Sequence, residues 1–114
     1  MNTRTAGHGP GLVVMYRWKL HAGMEESFVE SWSRVTELLR SRAGSLGSRL
    51  HRGNDGIWYG YAQWPSEEAR QRAFAQAFDP AAAAQMRAAI AESLPEILLQ
   101  PIADYLVLPH AFGA

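Results

Sequence analysis

Four tryptophans, Trp18, Trp32, Trp58 and Trp64, stand in a chain of 114 residues, and Arg70 and Arg87 are among the arginines of its second half. Flat rings can wall a cavity for an aromatic ligand, because indole is rarely fully packed and its N–H seeks an acceptor. A guanidinium turned toward such a cavity would offset negative charge developing on a phenolate or enolate oxygen. On this reading Trp64 and Arg87 are candidate residues of such a cavity. Tyr16, Trp18, Trp32, Trp58 and Arg70 are the candidate substrate-binding residues. Each also has a plainer role, the tryptophans as core packing and the arginines as solvated helix charges.

Other chemistry is sparse. His21, His51 and His110 could each supply a neutral imidazole as a base, or simply end a strand or sit at an interface. No two histidines stand at helix spacing and no carboxylate completes a ligand set with them, so no metal site is expected. Glu25-Glu26 and Glu67-Glu68 are adjacent pairs, and neighbouring helix residues point in different directions, so they read as helix-start charges. The chain has no cysteine, which excludes disulfides, thiolate nucleophiles and Cys-ligated metals and fits a cytoplasmic location. Eleven acidic and eleven basic side chains give a formal net charge of +0, against nucleic-acid or basic membrane binding. No run approaches the roughly 18 apolar residues of a membrane span.

The elements that must position these groups are legible from periodicity. Residues 1–11 are polar and glycine-rich, lack a signal-peptide core and read as a tail containing His8. A domain follows over 12–109, and 110–114 form a short C-terminal tail. Leu12 to His21 alternates as a strand, with Val14, Tyr16, Trp18 and Leu20 on one face. Met24 to about Arg42 changes to helical period, carrying Phe28, Trp32, Val35 and Leu39 on its apolar stripe. Ser45 to Arg52 reads as a second strand, and Gly53-Asn54-Asp55-Gly56 turns it into a third, Ile57 to Trp64. Ser66 is the expected N-cap of a helix running to about Phe78. Asp79-Pro80 restarts a helix expected to reach Ser93, and Glu96 to Leu108 reads as a final strand with Pro101 at a bulge or edge.

This β-α-β-β-α-β order, its second helix split, is the ferredoxin-like α+β pattern: a four-stranded antiparallel sheet with helices on one face. The third strand is aromatic or small on both alternating faces, with Trp58, Gly60, Ala62 and Trp64 on one and Ile57, Tyr59, Tyr61 and Gln63 on the other. A strand wetted on one side would alternate apolar and polar. Helices can cover one face. The other, with Tyr59, Tyr61, Met15 and Val107 or Leu108, calls for a second copy, so a homodimer through the open sheet face is expected.

The junction Tyr61-Ala62-Gln63-Trp64 followed by Ser66-Glu67-x-Ala69 resembles the antibiotic biosynthesis monooxygenase (ABM) superfamily of dimeric α/β barrels, over roughly Gly11 to Pro109. The resemblance implies a ferredoxin-like fold and, in its polyketide branch, oxidation of an anthrone or hydroquinone to a quinone by molecular oxygen, without metal, flavin or other cofactor. Trp64 matches that branch's pocket tryptophan and Arg87 lies close to its arginine, so the resemblance implies these two as the catalytic residues. The pocket asparagine, four residues before the tryptophan, is Gly60 here, and the tyrosine on the first turn of the second helix falls at Arg70. The haem-degrading branch needs a histidine in the second helical region, and Ser66 to Leu94 has none. The resemblance therefore implies a cofactor-independent monooxygenase acting on an aromatic or polyketide-derived substrate. The alternatives are a non-catalytic ligand-binding or stress-related module on the same barrel, or a non-oxidative isomerase or cyclase.

Overall fold

The computed structural model describes residues 10–107. Most of the expected N-terminal tail, with His8, lies outside the described residues, as do Leu108 at the end of the expected final strand and the expected C-terminal tail with His110. Seven elements follow: β1 (Leu12–Leu20), α1 (Glu25–Arg42), β2 (Ser48–Arg52), β3 (Trp58–Trp64), α2 (Glu67–Phe74), α3 (Pro80–Ala89) and β4 (Ile90–Leu99). The strands form one antiparallel sheet in the order β2-β3-β1-β4. This is the ferredoxin-like α+β architecture that the periodicity implied.

Register puts the large rings on one side. Tyr16 lies opposite Gly60 and Trp18 opposite Trp58, while Val14 faces Ala62 and Leu12 faces Trp64. Because side chains alternate across a strand, all eight share the face that the helices cover. Two apolar clusters result. Val14, Ala62, Trp64 and Ala73 form one; Trp18, Phe28 and Ala89 form the other, with Trp32, Trp58 and Met86 packed against it. Tyr16 touches both.

Helix boundaries follow from local chemistry. Ser66 Oγ accepts the Ala69 N–H at 3.1 Å, the expected N-cap of α2. Asp79 Oδ1 accepts the Ala82 N–H at 3.0 Å and Pro80 occupies the first turn of α3. The Asp79 carboxyl is held below the usual carboxylate range by that backbone N–H and by Arg34, which donates from Nε to Oδ2 at 3.0 Å.

Three boundaries differ from the sequence reading. Ladder pairing of β2 begins at Ser48 rather than Ser45, and Leu46 lies 45% exposed beyond it. The second helix stops at Phe74 rather than Phe78. The largest difference is β4, which begins at Ile90 inside the stretch expected to be helical and ends at Leu99. Ala91, Glu92 and Ser93 are not strong strand formers, but pairing with β1, Leu20 to Ile90 and Trp18 to Ser93, overrides local preference. Pro95, not Pro101, is the proline inside the strand. It sits on an edge strand at a register shift, between the pairings of Leu94 and Ile97, where a missing N–H costs least.

The uncovered face carries Val13, Met15, Arg17, Tyr59, Tyr61 and, from β4, Leu94, Ile97 and Leu99. Ile97 and Leu99 are 42% and 41% exposed. They take the place expected for Val107, which lies beyond β4, exposed and in no strand.

Candidate functional site

Between the sheet and the helices lies a cavity of about 200 Å³. Tyr16 and Trp18 of β1, Gly60, Ala62 and Trp64 of β3, and Trp32, Val35 and Leu39 of α1 enclose it, with Phe74 of α2 and Met86 of α3 on the far side. Its few polar lining groups include the hydroxyls of Thr36 and Ser48. Trp64 is 1% exposed, and its Nε1–H is buried with no acceptor. A second, more open cavity of about 400 Å³ lies between α1, α2 and α3, sharing Val35, Leu39, Phe74 and Met86 with the first. The inner space alone is below the roughly 300–1,000 Å³ of ordinary ligand sites, and the two together fall within it.

Gly60 explains the shape of the inner wall. A Cβ built there would stand 2.8 Å from Trp18 Cη2 and 3.0 Å from Cζ3, so the Trp18 ring occupies the space that a side chain would claim. Trp18 is fixed there by near-parallel stacking on Tyr16 at 5.9 Å and by an edge contact with Phe28 at 5.2 Å. The absence of the asparagine that the resemblance implied is thus matched by a ring in its place.

Arg70 is the most constrained charge in the described residues. It is only 8% exposed, although it lies on a helix. Nε and Nη2 donate to Glu67 Oε1 and Oε2 at 2.8 and 3.0 Å, Nη2 also donates to Glu96 Oε1 at 2.9 Å, and Nη1 donates to Tyr16 Oη at 3.1 Å. Charge-assisted, two-pronged pairing of this kind is both strong and directional. The Arg70 guanidinium holds Glu67 down at about 2. Glu67 in turn raises Arg70 further above its usual range. Burial pushes the Tyr16 phenol up, with Arg70 opposing in part. Trp64 lies close enough to lower it slightly, although its N–H does not reach hydrogen-bond geometry.

The structure therefore brings together Tyr16, Trp18, Trp32 and Trp64 on the inner cavity, with Arg70 behind Tyr16. It does not bring Trp58 or Arg87 there. Trp58 packs on Phe28 at 5.9 Å and carries Arg52 over its outer face at 5.3 Å, beside a surface groove lined by Glu25, Glu26 and Glu30. Arg87 is exposed and lines only the outer cavity. A helix residue next to the inward Met86 need not share its direction, and one position of helix phase separates the two. His21 and His51 are exposed strand-end groups.

Sequence reasoning missed Glu96 because β4 was placed too late, with Glu96 as its first residue rather than a central one. It also read Glu67 only as a helix-start charge; its spacing of three from Arg70 was the available signal. Phe74, Thr36 and Ser48 went unremarked, while Met86 was expected to face inward from its place on the apolar line of α3. Among the described residues no group of three histidine, cysteine, aspartate or glutamate side chains could hold a metal ion, and no helix is long and apolar enough to cross a membrane.

The fold and this site define a ferredoxin-like domain with an aromatic cavity between its sheet and its helices. The antibiotic biosynthesis monooxygenase family model matches residues 11–92, and the chain belongs to that family. No curated protein matches it by sequence. Among solved structures it is similar to SnoaB, a cofactor-independent oxygenase from Streptomyces nogalater, with TM-score 0.70 and 22% identity over 82% of this chain and 95% of that one. It is also similar to PA3566 from Pseudomonas aeruginosa, with TM-score 0.66 and 18% identity over 83% and 96%. Rv0793 from Mycobacterium tuberculosis gives TM-score 0.68 and 14% identity over 83% and 98%. At these identities the structural likeness speaks for the fold.

Proposed function

We propose that the protein is a cofactor-independent monooxygenase that oxidises an aromatic or polyketide-derived substrate with molecular oxygen. The observation that carries this reading is the apolar cavity walled by Trp18, Trp32 and Trp64 and reached by a single well-anchored polar cluster, Tyr16–Arg70. Membership of the family and the likeness to SnoaB, itself a cofactor-independent oxygenase, point the same way. An anthrone illustrates the chemistry. Its ring methylene loses two hydrogens and gains one oxygen atom from O₂ as a carbonyl, and the other oxygen atom leaves as water. The enolised substrate is the electron donor, so the protein need only hold the ring, steady its oxygen and exclude bulk water. Trp64 flanks the ring, and Trp18 and Trp32 close the remaining walls. Arg87, exposed at the outer cavity, serves the entrance rather than the reacting oxygen.

The assembly is a homodimer on this reading. The uncovered face, with Met15, Tyr59, Tyr61, Ile97 and Leu99 around Arg17, is largely apolar, and about 25 cal/mol per Å² over several hundred Å² would drive association. A ligand-binding module without chemistry is the second reading. It is favoured by Gly60 and Arg70 standing where the quinone-forming branch has asparagine and tyrosine.

Aerobic turnover of anthrones and hydroquinones, followed by quinone absorbance with a metal chelator present, tests the proposal. Chelator-resistant quinone formation that falls at least tenfold in Trp64→Phe is expected. Background rates from a folded protein would shift the assignment to the binding module.

A further inference from the structure

The bond between Arg70 and Tyr16 has a direction fixed by chemistry. A guanidinium carries no acceptor lone pair, so in the 3.1 Å contact Arg70 Nη1 donates and Tyr16 Oη accepts. The phenolic proton is left over. Among the described residues no group accepts it, although the Tyr16 ring lines the inner cavity. Beside it the Trp64 Nε1–H is likewise buried without an acceptor. A buried donor and a half-buried one left without partners at a cavity wall ask for an explanation, and an acceptor brought by a ligand is a natural one.

Arg70 cannot easily turn aside to release Tyr16. Glu67 grips two of its nitrogens from the same helix, and Glu96 reaches across from β4 to Nη2 at 2.9 Å. Phe74 lies against the guanidinium, its ring centre 6.0 Å from the carbon. The clamp sets the accepting side of the Tyr16 oxygen and so sets where its proton can point. Burial keeps the phenol protonated, Arg70 opposing in part and the Glu96 carboxylate adding to the rise.

We propose that Tyr16 is the hydrogen-bond donor to the ligand's oxygen and that Glu67 and Glu96 position it through Arg70, an arrangement that selects a neutral carbonyl or phenol oxygen over a carboxylate. A neutral carbonyl or phenol oxygen completes the unpaired donor. A carboxylate would enter an apolar inner cavity whose neighbouring guanidinium, Arg70, is already held by two carboxylates, with Arg87 out on the outer cavity. The inference rests on the aromatic cavity being the ligand site, the premise of the oxygenase reading.

The test is equilibrium binding of three probes at neutral pH, by quenching of tryptophan fluorescence: anthracene, anthraquinone and anthracene-9-carboxylate. The first two share a ring system and differ in oxygen. Anthraquinone is expected to bind about tenfold more tightly than anthracene, the worth of one well-made hydrogen bond, and the carboxylate most weakly. Tyr16→Phe keeps the ring and should erase the preference for the ketone while leaving anthracene binding unchanged. Glu96→Gln should narrow that preference and improve carboxylate binding several-fold, a pair of changes that loss of packing alone does not produce. A ketone preference that survives Tyr16→Phe, or a carboxylate that binds best to the unaltered protein, would overturn the proposal and leave the cavity reading standing. Failure of all three probes to bind would overturn both.

Discussion

Replacing Gly60 with alanine should destabilise the protein, and the reason lies in one aromatic ring. The added Cβ would stand 2.8 and 3.0 Å from two carbons of Trp18, closer than such contacts tolerate. Trp18 has little freedom to yield: it is 7% exposed, stacked on Tyr16 and braced by Phe28. Overpacking of this sort costs about 1–3 kcal/mol. Against it, alanine gains about 0.5–1 kcal/mol over glycine in a strand by restricting the unfolded chain. Gly60 does not have a positive φ, so nothing in the backbone opposes the exchange. The steric term is the larger, leaving a net loss of up to about 2.5 kcal/mol, at roughly 4 °C in melting temperature per kcal/mol at this chain length. In a Trp18→Leu background the obstruction is gone, and the same Gly60→Ala change should be neutral or stabilising. Urea unfolding of the four proteins in this cycle measures the coupling, expected at 1 kcal/mol or more. An equal effect of Gly60→Ala in both backgrounds would refute the claim that Trp18 fills the place of a side chain at position 60.

Other outcomes follow from the same geometry. Ser66→Ala removes the cap on the Ala69 N–H and should cost about 1 kcal/mol in chemical denaturation. Arg70→Leu strips the partner from Glu67, Glu96 and Tyr16 at once and should cost about 2 kcal/mol, the carboxylates being partly solvated; it should also abolish any ketone preference in ligand binding. Glu67 is held at about 2, below its ordinary 4.5, so its contribution is complete above pH 4.5 and is lost as pH falls toward 2. Glu67→Gln should therefore flatten the loss of stability between pH 5 and pH 3, read from denaturation midpoints. Sedimentation should find a dimer, and Tyr61→Lys on the uncovered sheet face should shift it to monomer.

Much of the fold was legible because periodicity carried it. Trp58, Gly60, Ala62 and Trp64 lie toward the helices as their alternation implied, and Ser66 and Asp79-Pro80 start helices as their chemistry implied. The β4 boundary was not legible, since Ala91, Glu92 and Ser93 favour a helix locally and only pairing with β1 makes them a strand. The site was legible in kind rather than in detail. Ring content and spacing pointed to an aromatic cavity, and Trp18, Trp32 and Trp64 meet there with Tyr16. Trp58 shares their strand face but lies beyond Phe28, a distance that alternation cannot convey. Arg70 and Arg87 look alike in sequence. One is buried because α2 aims it at Tyr16 and Glu96, the other exposed because α3 turns it to the outer cavity, and both facts depend on tertiary placement.

The central claim is that the inner cavity takes a flat, neutral, oxygen-bearing aromatic ligand. The most direct measurement is a crystal structure with anthraquinone, an expected product. The ring should lie among Trp18, Trp32 and Trp64, displacing Phe74 or Met86 toward the outer cavity, with one carbonyl within hydrogen-bond distance of Tyr16 Oη. A cavity closed over by those side chains, with the ligand bound elsewhere or not at all, would contradict the account.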